Sequence, residues 1–107
     1  MGVKSIINFF KTYPMKKAQL KLIEGEFLLE DGKEILNNIF SSKINFHQMK
    51  NFSSQERLGL DDAMAKKRIP QLREEVLKLE KLLEEVRKQN KKLIINSVID
   101  ISFTEES

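Results

Sequence analysis

The sequence predicts an α+β fold of order β-α-α-β, in which a long antiparallel helical hairpin packs on a two-stranded antiparallel ribbon. Strand-forming residues alternate near both ends of the chain, and two stretches with helical periodicity lie between them. Two helices joined by a short loop pack antiparallel, so the flanking strands run in opposite directions and can pair directly. A two-stranded ribbon is only marginally stable alone. We therefore expect the helices on one face of the ribbon and a second copy along an edge.

Length and composition indicate one small folded domain. The chain has 107 residues, 40% of them hydrophobic and 33% charged, which is typical of a folded rather than a disordered protein. We divide it into an N-terminal arm, residues 1–14, flexible or helical, and a single β-α-α-β domain, residues 15–107. There is no cysteine, which excludes disulfides and thiolate metal sites. Because no export signal is recognisable and no apolar run approaches the roughly 20 residues of a membrane span, we expect a cytoplasmic protein.

The positive charge is concentrated at the N-terminus. The first 21 residues carry five lysines and no acid, whereas the whole chain has a formal net charge of +3, so residues 22–107 sum to −2. A basic arm on a weakly acidic body is a weak indication of nucleic-acid binding. The apolar residues between Ile6 and Tyr13 also allow a helix that lies on a membrane surface.

The first strand is predicted over residues 19–29, and the first helix from about Asp31 to about Lys50. The Asp31 carboxylate can cap this helix, with Glu34 completing a capping box. The apolar residues of the helix form two rows that cover more than half of its circumference, so we expect it to be sandwiched between the second helix and the sheet. One row is Ile35, Ile39, Phe46 and Met49, and the other is Leu36, Phe40 and Ile44.

The opposite face of the first helix is polar but uncharged. It consists of Asn37, Asn38, Ser41, Ser42, Asn45 and Gln48. Such a face can pack against another protein without stranding a charge, or it can be an ordinary solvated surface.

The second helix is predicted to follow a loop marked by Ser53, Ser54 and Gly59. It begins at the capping pair Asp61-Asp62 and ends near Asn90. Pro70 either kinks this helix or begins a fresh one after a short first segment.

A narrow apolar stripe runs along the second helix, with steps of three and four residues. Its members are Ile69, Leu72, Val76, Leu79, Leu83 and Val86. Packing within the chain is the preferred interpretation, because a parallel coiled coil through helix 69–90 would set Glu75 and Glu80 against like charges. Direct contact with a partner helix is the alternative. Leu77 and Leu82 lie outside the stripe and broaden the apolar surface.

The last strand is predicted over residues 93–103 and carries one charge, Asp100. A strand so poor in charge is badly protected as a free edge, and pairing with its twin would complete a four-stranded sheet. We therefore expect a small non-enzymatic protein-interaction module that forms a homodimer or binds another protein. The candidate interface residues are Ile95, Val98, Ile99, Leu77 and Leu82.

The first helix also carries one group of basic residues that could form a binding site. Lys43, His47 and Lys50 share a face of the first helix, and with Arg57 they form a candidate site for an anion or a nucleic acid, which is the alternative function. In the simpler interpretation the lysines extend to water and His47 is an ordinary packed residue. No catalytic or phosphate-binding motif occurs, so we expect no enzyme activity, cofactor or metal.

Overall fold

The computed structural model describes residues 17–105 and confirms the predicted order of elements. The elements are strand β1 (Lys17–Phe27), helix α1 (Leu29–Leu58), helix α2 (Ala63–Gln89) and strand β2 (Leu93–Ser102). The two strands pair antiparallel in a two-stranded sheet. The chain divides into a ribbon unit, described over residues 17–25 and 94–105, and a hairpin unit, Glu26–Leu93. The predicted arm, residues 1–14, lies outside the described residues.

Side chains near the end of α1 hold the turn of the hairpin. Gly59 ends α1 in the left-handed region, with φ 68°, and its N–H donates to the Gln55 carbonyl oxygen at 2.9 Å. The Asn51 Oδ1 accepts from the Asp62 N–H at 2.7 Å, and the Ser54 Oγ donates to the Leu60 carbonyl oxygen at 2.8 Å. These contacts fix where the chain reverses and begins α2.

Helix α1 is longer than predicted at both ends. It begins at Leu29, and its N-cap, Leu28, makes no side-chain capping bond, so Asp31 lies in the first turn and is not the cap. An acid in that turn still suits the positive end of the helix dipole. Ser53 and Ser54, expected in a loop, belong to the helix. The contacts that Ser54 and Asn51 make across the turn explain the longer helix, because they stabilise a helix that continues to Leu58.

Helix α2 begins and ends close to its predicted bounds. Asp62 is the N-cap, and its carboxylate accepts from the Ala65 N–H at 2.9 Å. Asn90 is the C-cap in the left-handed region, with φ 55°. Pro70 lies within a single helix, so a fresh helix does not begin there. At the end of α2 the Arg87 Nη1 lies 3.5 Å from Glu30 Oε2 of α1.

The apolar stripe of α2 packs against α1, which confirms the interpretation that it serves packing within the chain. Leu72 and Leu83 are buried, and the other four members are half-buried. The core of the described residues is small. In the hairpin unit the buried apolar residues are Ala65, Leu72, Leu83 and Leu93, and in the ribbon unit Ile23 is buried; no large side chain among the described residues is fully buried.

The expectation that both apolar rows of α1 are covered is wrong. Leu36, Phe40 and Ile44 are half-buried. The other row is progressively exposed along the helix, with Ile39 at 37%, Phe46 at 53% and Met49 at 61%. The two rows are centred about 135° apart around the helix, so one neighbouring helix cannot cover both.

Candidate interaction surfaces

The ribbon has two chemically different faces. The Gln19 Nε2 of β1 donates to Asp100 Oδ1 of β2 at 2.8 Å, so these two side chains lie on the same face. Successive side chains of a strand point to opposite faces. The neighbouring apolar side chains therefore share the other face, which we call the ribbon apolar face. Its members are Leu20, Leu22, Ile99 and Ile101.

The ribbon apolar face is substantially exposed. Leu20 and Leu22 each expose 51% of their surface, and Ile99 and Ile101 expose 39% and 46%. Scattered apolar residues are normal on protein surfaces, but four branched side chains grouped on one face of a two-stranded sheet form a candidate contact surface.

The free edges of the two strands differ in charge. In a two-stranded sheet each strand has one edge whose backbone groups lack a strand partner. β1 carries four charged residues over its length, two lysines and two glutamates, whereas β2 carries Asp100 alone. Charged side chains discourage pairing at an edge, so β2 offers the less protected edge.

The predicted interface residues fall into two groups. Ile95, Val98 and Ile99 lie in β2. Ile95 is half-buried, and Val98 is 51% exposed on the face that carries Asp100. Leu77 and Leu82 are exposed on α2, at 58% and 56%. These two leucines are about 140° apart around the helix and do not form one patch.

The four residues of the predicted anion site are not alike in exposure. Lys43, Lys50 and Arg57 are exposed along α1, whereas His47 is 4% exposed. The Lys43 Nζ lies 5.3 Å from the centroid of the Phe46 ring. The described contacts join none of the four side chains to another, and the anion site stays a prediction.

His47 lies on the same side of α1 as the half-buried residues Leu36, Phe40 and Ile44. This is the side of the helix that packs against α2. Its ring packs edge-on against Phe46 with the centroids 5.3 Å apart. Its Nε2 is buried and has no hydrogen-bond partner among the described residues. A buried polar nitrogen without a partner lowers stability. Sequence reasoning identified the packed residue but had no signal for the missing partner.

An exposed apolar surface on α1 was missed because it was expected to be covered. We define the α1 outer face as Ile35, Ile39, Phe46 and Met49, together with Lys43 and Lys50 beside them. An open depression of about 610 Å³ lies along it, to which α2 contributes Leu72. The uncharged polar side chains are largely exposed on α1, and three of them, Ser41, Asn45 and Gln48, border a second depression with Arg73 of α2.

Within residues 17–105 no group of three or more His, Asp or Glu residues is placed to hold a metal ion. Neither described helix is long and apolar enough to cross a membrane. Comparison with protein-family models, curated proteins and solved structures finds no match to this chain. The candidate surfaces therefore rest on geometry and chemistry alone.

Proposed function

We propose that this protein is a non-enzymatic interaction module that forms a homodimer by pairing β2 with the β2 strand of a second copy. The observation that carries the proposal is the combination, in one strand, of a charge-poor free edge and half-exposed apolar side chains. Antiparallel pairing produces a four-stranded sheet of order β1-β2-β2-β1 and leaves no free β2 edge.

Twofold symmetry makes this pairing favourable on the apolar face. A twofold axis perpendicular to the sheet keeps equivalent side chains of both copies on the same face. With the axis passing beside Ile99, residues 96–102 of the two copies pair, so that Ile99 lies opposite its counterpart and Ile101 lies diagonally across from it. Antiparallel neighbours of this kind interact across strands as apolar pairs.

The expected affinity is moderate. Each inter-strand hydrogen bond contributes about 1 kcal/mol net, and each apolar cross-strand pair up to about 1 kcal/mol. Pairing over most of the ten residues of β2 then stabilises the dimer by about 10 kcal/mol before association costs. With those costs at about 4 kcal/mol, the low end of their range, about 6 kcal/mol remains, which corresponds to a Kd of tens of micromolar.

Sedimentation equilibrium between about 5 and about 500 μM brackets that Kd. We expect the full chain to shift from its 12.5 kDa monomer mass toward twice that mass as concentration rises. Ile99→Lys places two ammonium groups close to the symmetry axis, and we expect this variant to remain monomeric over the whole range.

Leu20→Lys is the matched control, because Leu20 lies on the same apolar face but on β1, one strand further from the proposed contact. We expect this variant to dimerise like the wild type. Loss of dimer in both variants would indicate packing of apolar faces against each other and would contradict edge pairing. A wild-type monomer at every concentration would contradict self-association itself.

A further inference from the structure

The apolar residues of the α1 outer face are spaced so that all of them can contact one flat surface. Ile35, Ile39, Phe46 and Met49 follow one another at steps of four, seven and three residues, which keeps them on one side of the helix over about 21 Å. Exposure rises along this line from half-buried Ile35 to Met49 at 61%. No described element covers its last two members.

The charge of this part of α1 is entirely positive. The 21 consecutive residues 35–55 contain no Asp or Glu. They contain two lysines, Lys43 and Lys50, and both are exposed. Neither lysine takes part in an ion pair within the described part of the chain. The Lys43 Nζ lies over the Phe46 ring. The aliphatic part of the Lys43 side chain therefore runs along the apolar face, and its ammonium group lies at the edge of that face.

We propose that the α1 outer face binds an anionic lipid surface, lying in the plane of the headgroups. A helix at such an interface buries an apolar line between acyl chains and extends its lysines to the phosphates. The far flank of α1 carries exposed amide and hydroxyl groups, which can lie among headgroups without repelling their charge. This binding uses the hairpin unit and is independent of the dimer proposed for the ribbon.

The arrangement fits lipid better than it fits a nucleic acid. Phosphate backbones are bound by many clustered cations, whereas this face has two lysines a full two turns apart with Phe46 between them. Phe46 is the single aromatic ring of this face, whereas the stacking of successive bases needs several; the aliphatic side chains Ile39 and Met49 gain from entering hydrocarbon. Residues 1–16 combine the same residue types in sequence, with three lysines, no acid, four Ile or Phe residues and Tyr13.

Vesicle flotation with the full chain tests the proposal, using phosphatidylcholine vesicles with or without about one third phosphatidylserine. We expect the wild type to float with the anionic vesicles and to bind the neutral ones far more weakly. Lys43→Gln combined with Lys50→Gln should lower partitioning onto anionic vesicles about 30-fold, since each cation near such a surface contributes about fivefold. Phe46→Glu should abolish flotation with either vesicle.

Lys81→Gln combined with Lys88→Gln is the matched control, because these two lysines of α2 have the same seven-residue spacing and are outside the face. We expect this control to bind like the wild type. Phe46 is 53% exposed, so circular dichroism should show Phe46→Glu folded.

Three results would overturn the proposal. The first is wild-type binding retained by the Lys43/Lys50 and Phe46 variants, which would move lipid binding to another segment. The second is an equal loss in the α2 control, which would indicate dependence on net charge alone. The third is no flotation of the wild type, which would leave an acidic protein as the partner of the two lysines. The oligomeric state of Ile99→Lys is a separate readout, so failure here leaves the dimer proposal standing.

Discussion

Truncation of Leu83 to alanine removes one of the most deeply buried side chains of the hairpin. The same change at its neighbour Leu82 removes an exposed side chain. Leu83 exposes 3% of its surface and Leu82 exposes 56%. Both are leucines in the same helix, so the intrinsic helix propensity of the substitution is shared. The pair therefore isolates the effect of burial.

The magnitudes follow from those exposures. Leu83→Ala loses nearly the full transfer free energy of the side chain and leaves a cavity between α1 and α2, so we expect a loss of about 3 kcal/mol. At Leu82 less than half of the side chain is withdrawn from water, and the area term is about 1 kcal/mol. The slightly better helix propensity of alanine reduces that loss by about 0.2 kcal/mol.

Urea unfolding followed by circular dichroism at 222 nm measures both values at one protein concentration. We expect a large fall in the midpoint for Leu83→Ala, a small one for Leu82→Ala, and similar m-values for both. Equal losses in the two variants would refute the assignment of the stripe to the hairpin core. A Leu82→Ala effect that grows with protein concentration would instead place Leu82 in a contact between copies.

Two further changes test local details of the hairpin. His47→Leu removes the buried Nε2 that has no described partner and keeps a similar side-chain volume. We therefore expect thermal unfolding to show a stability that is unchanged or raised by about 1 kcal/mol. A loss of stability greater than about 1 kcal/mol would mean that His47 makes a stabilising polar contact. Asp62→Ala removes the α2 N-cap and should cost about 1 kcal/mol, whereas Asp31→Ala in the first turn of α1 should cost about half as much. The opposite order in urea unfolding would contradict the cap assignments.

The parts of the fold that sequence predicted are those set by neighbouring residues. Asp62 caps α2 through the N–H three residues ahead, and Asn90 ends it in the left-handed region. The α2 stripe is likewise a property of spacing. Because each of these depends on a few consecutive residues, no knowledge of distant contacts was needed.

The errors arose where distant contacts decide. Ser53 and Ser54 are typical of loops, yet the Ser54 Oγ bonds to Leu60 and Asn51 bonds to Asp62 across the turn, which favours a longer helix. At the other end Asp31 had a suitable capping pattern, but α1 begins two residues earlier at Leu29. Local propensity ranks the options at a helix end, and tertiary contacts select among them.

The candidate surfaces show the same limit. Helical periodicity revealed that α1 has two apolar rows, but it does not say which row a neighbour covers. The exposure of Phe46 and Met49 therefore emerged only from the structure. The grouping of Lys43 with His47 depended on their spacing along the helix, whereas the burial of His47 depends on packing in the hairpin.

Amide hydrogen exchange of β2 tests the central claim most directly. In a lone ribbon alternate β2 amides point to the free edge and exchange quickly, while the others are bonded to β1. At concentrations where the dimer dominates, we predict protection of consecutive amides through most of Leu93–Ser102, with the alternate pattern persisting in β1. Dilution should restore the alternate pattern in β2. An alternate pattern in β2 under conditions where the mass is that of a dimer would contradict edge pairing.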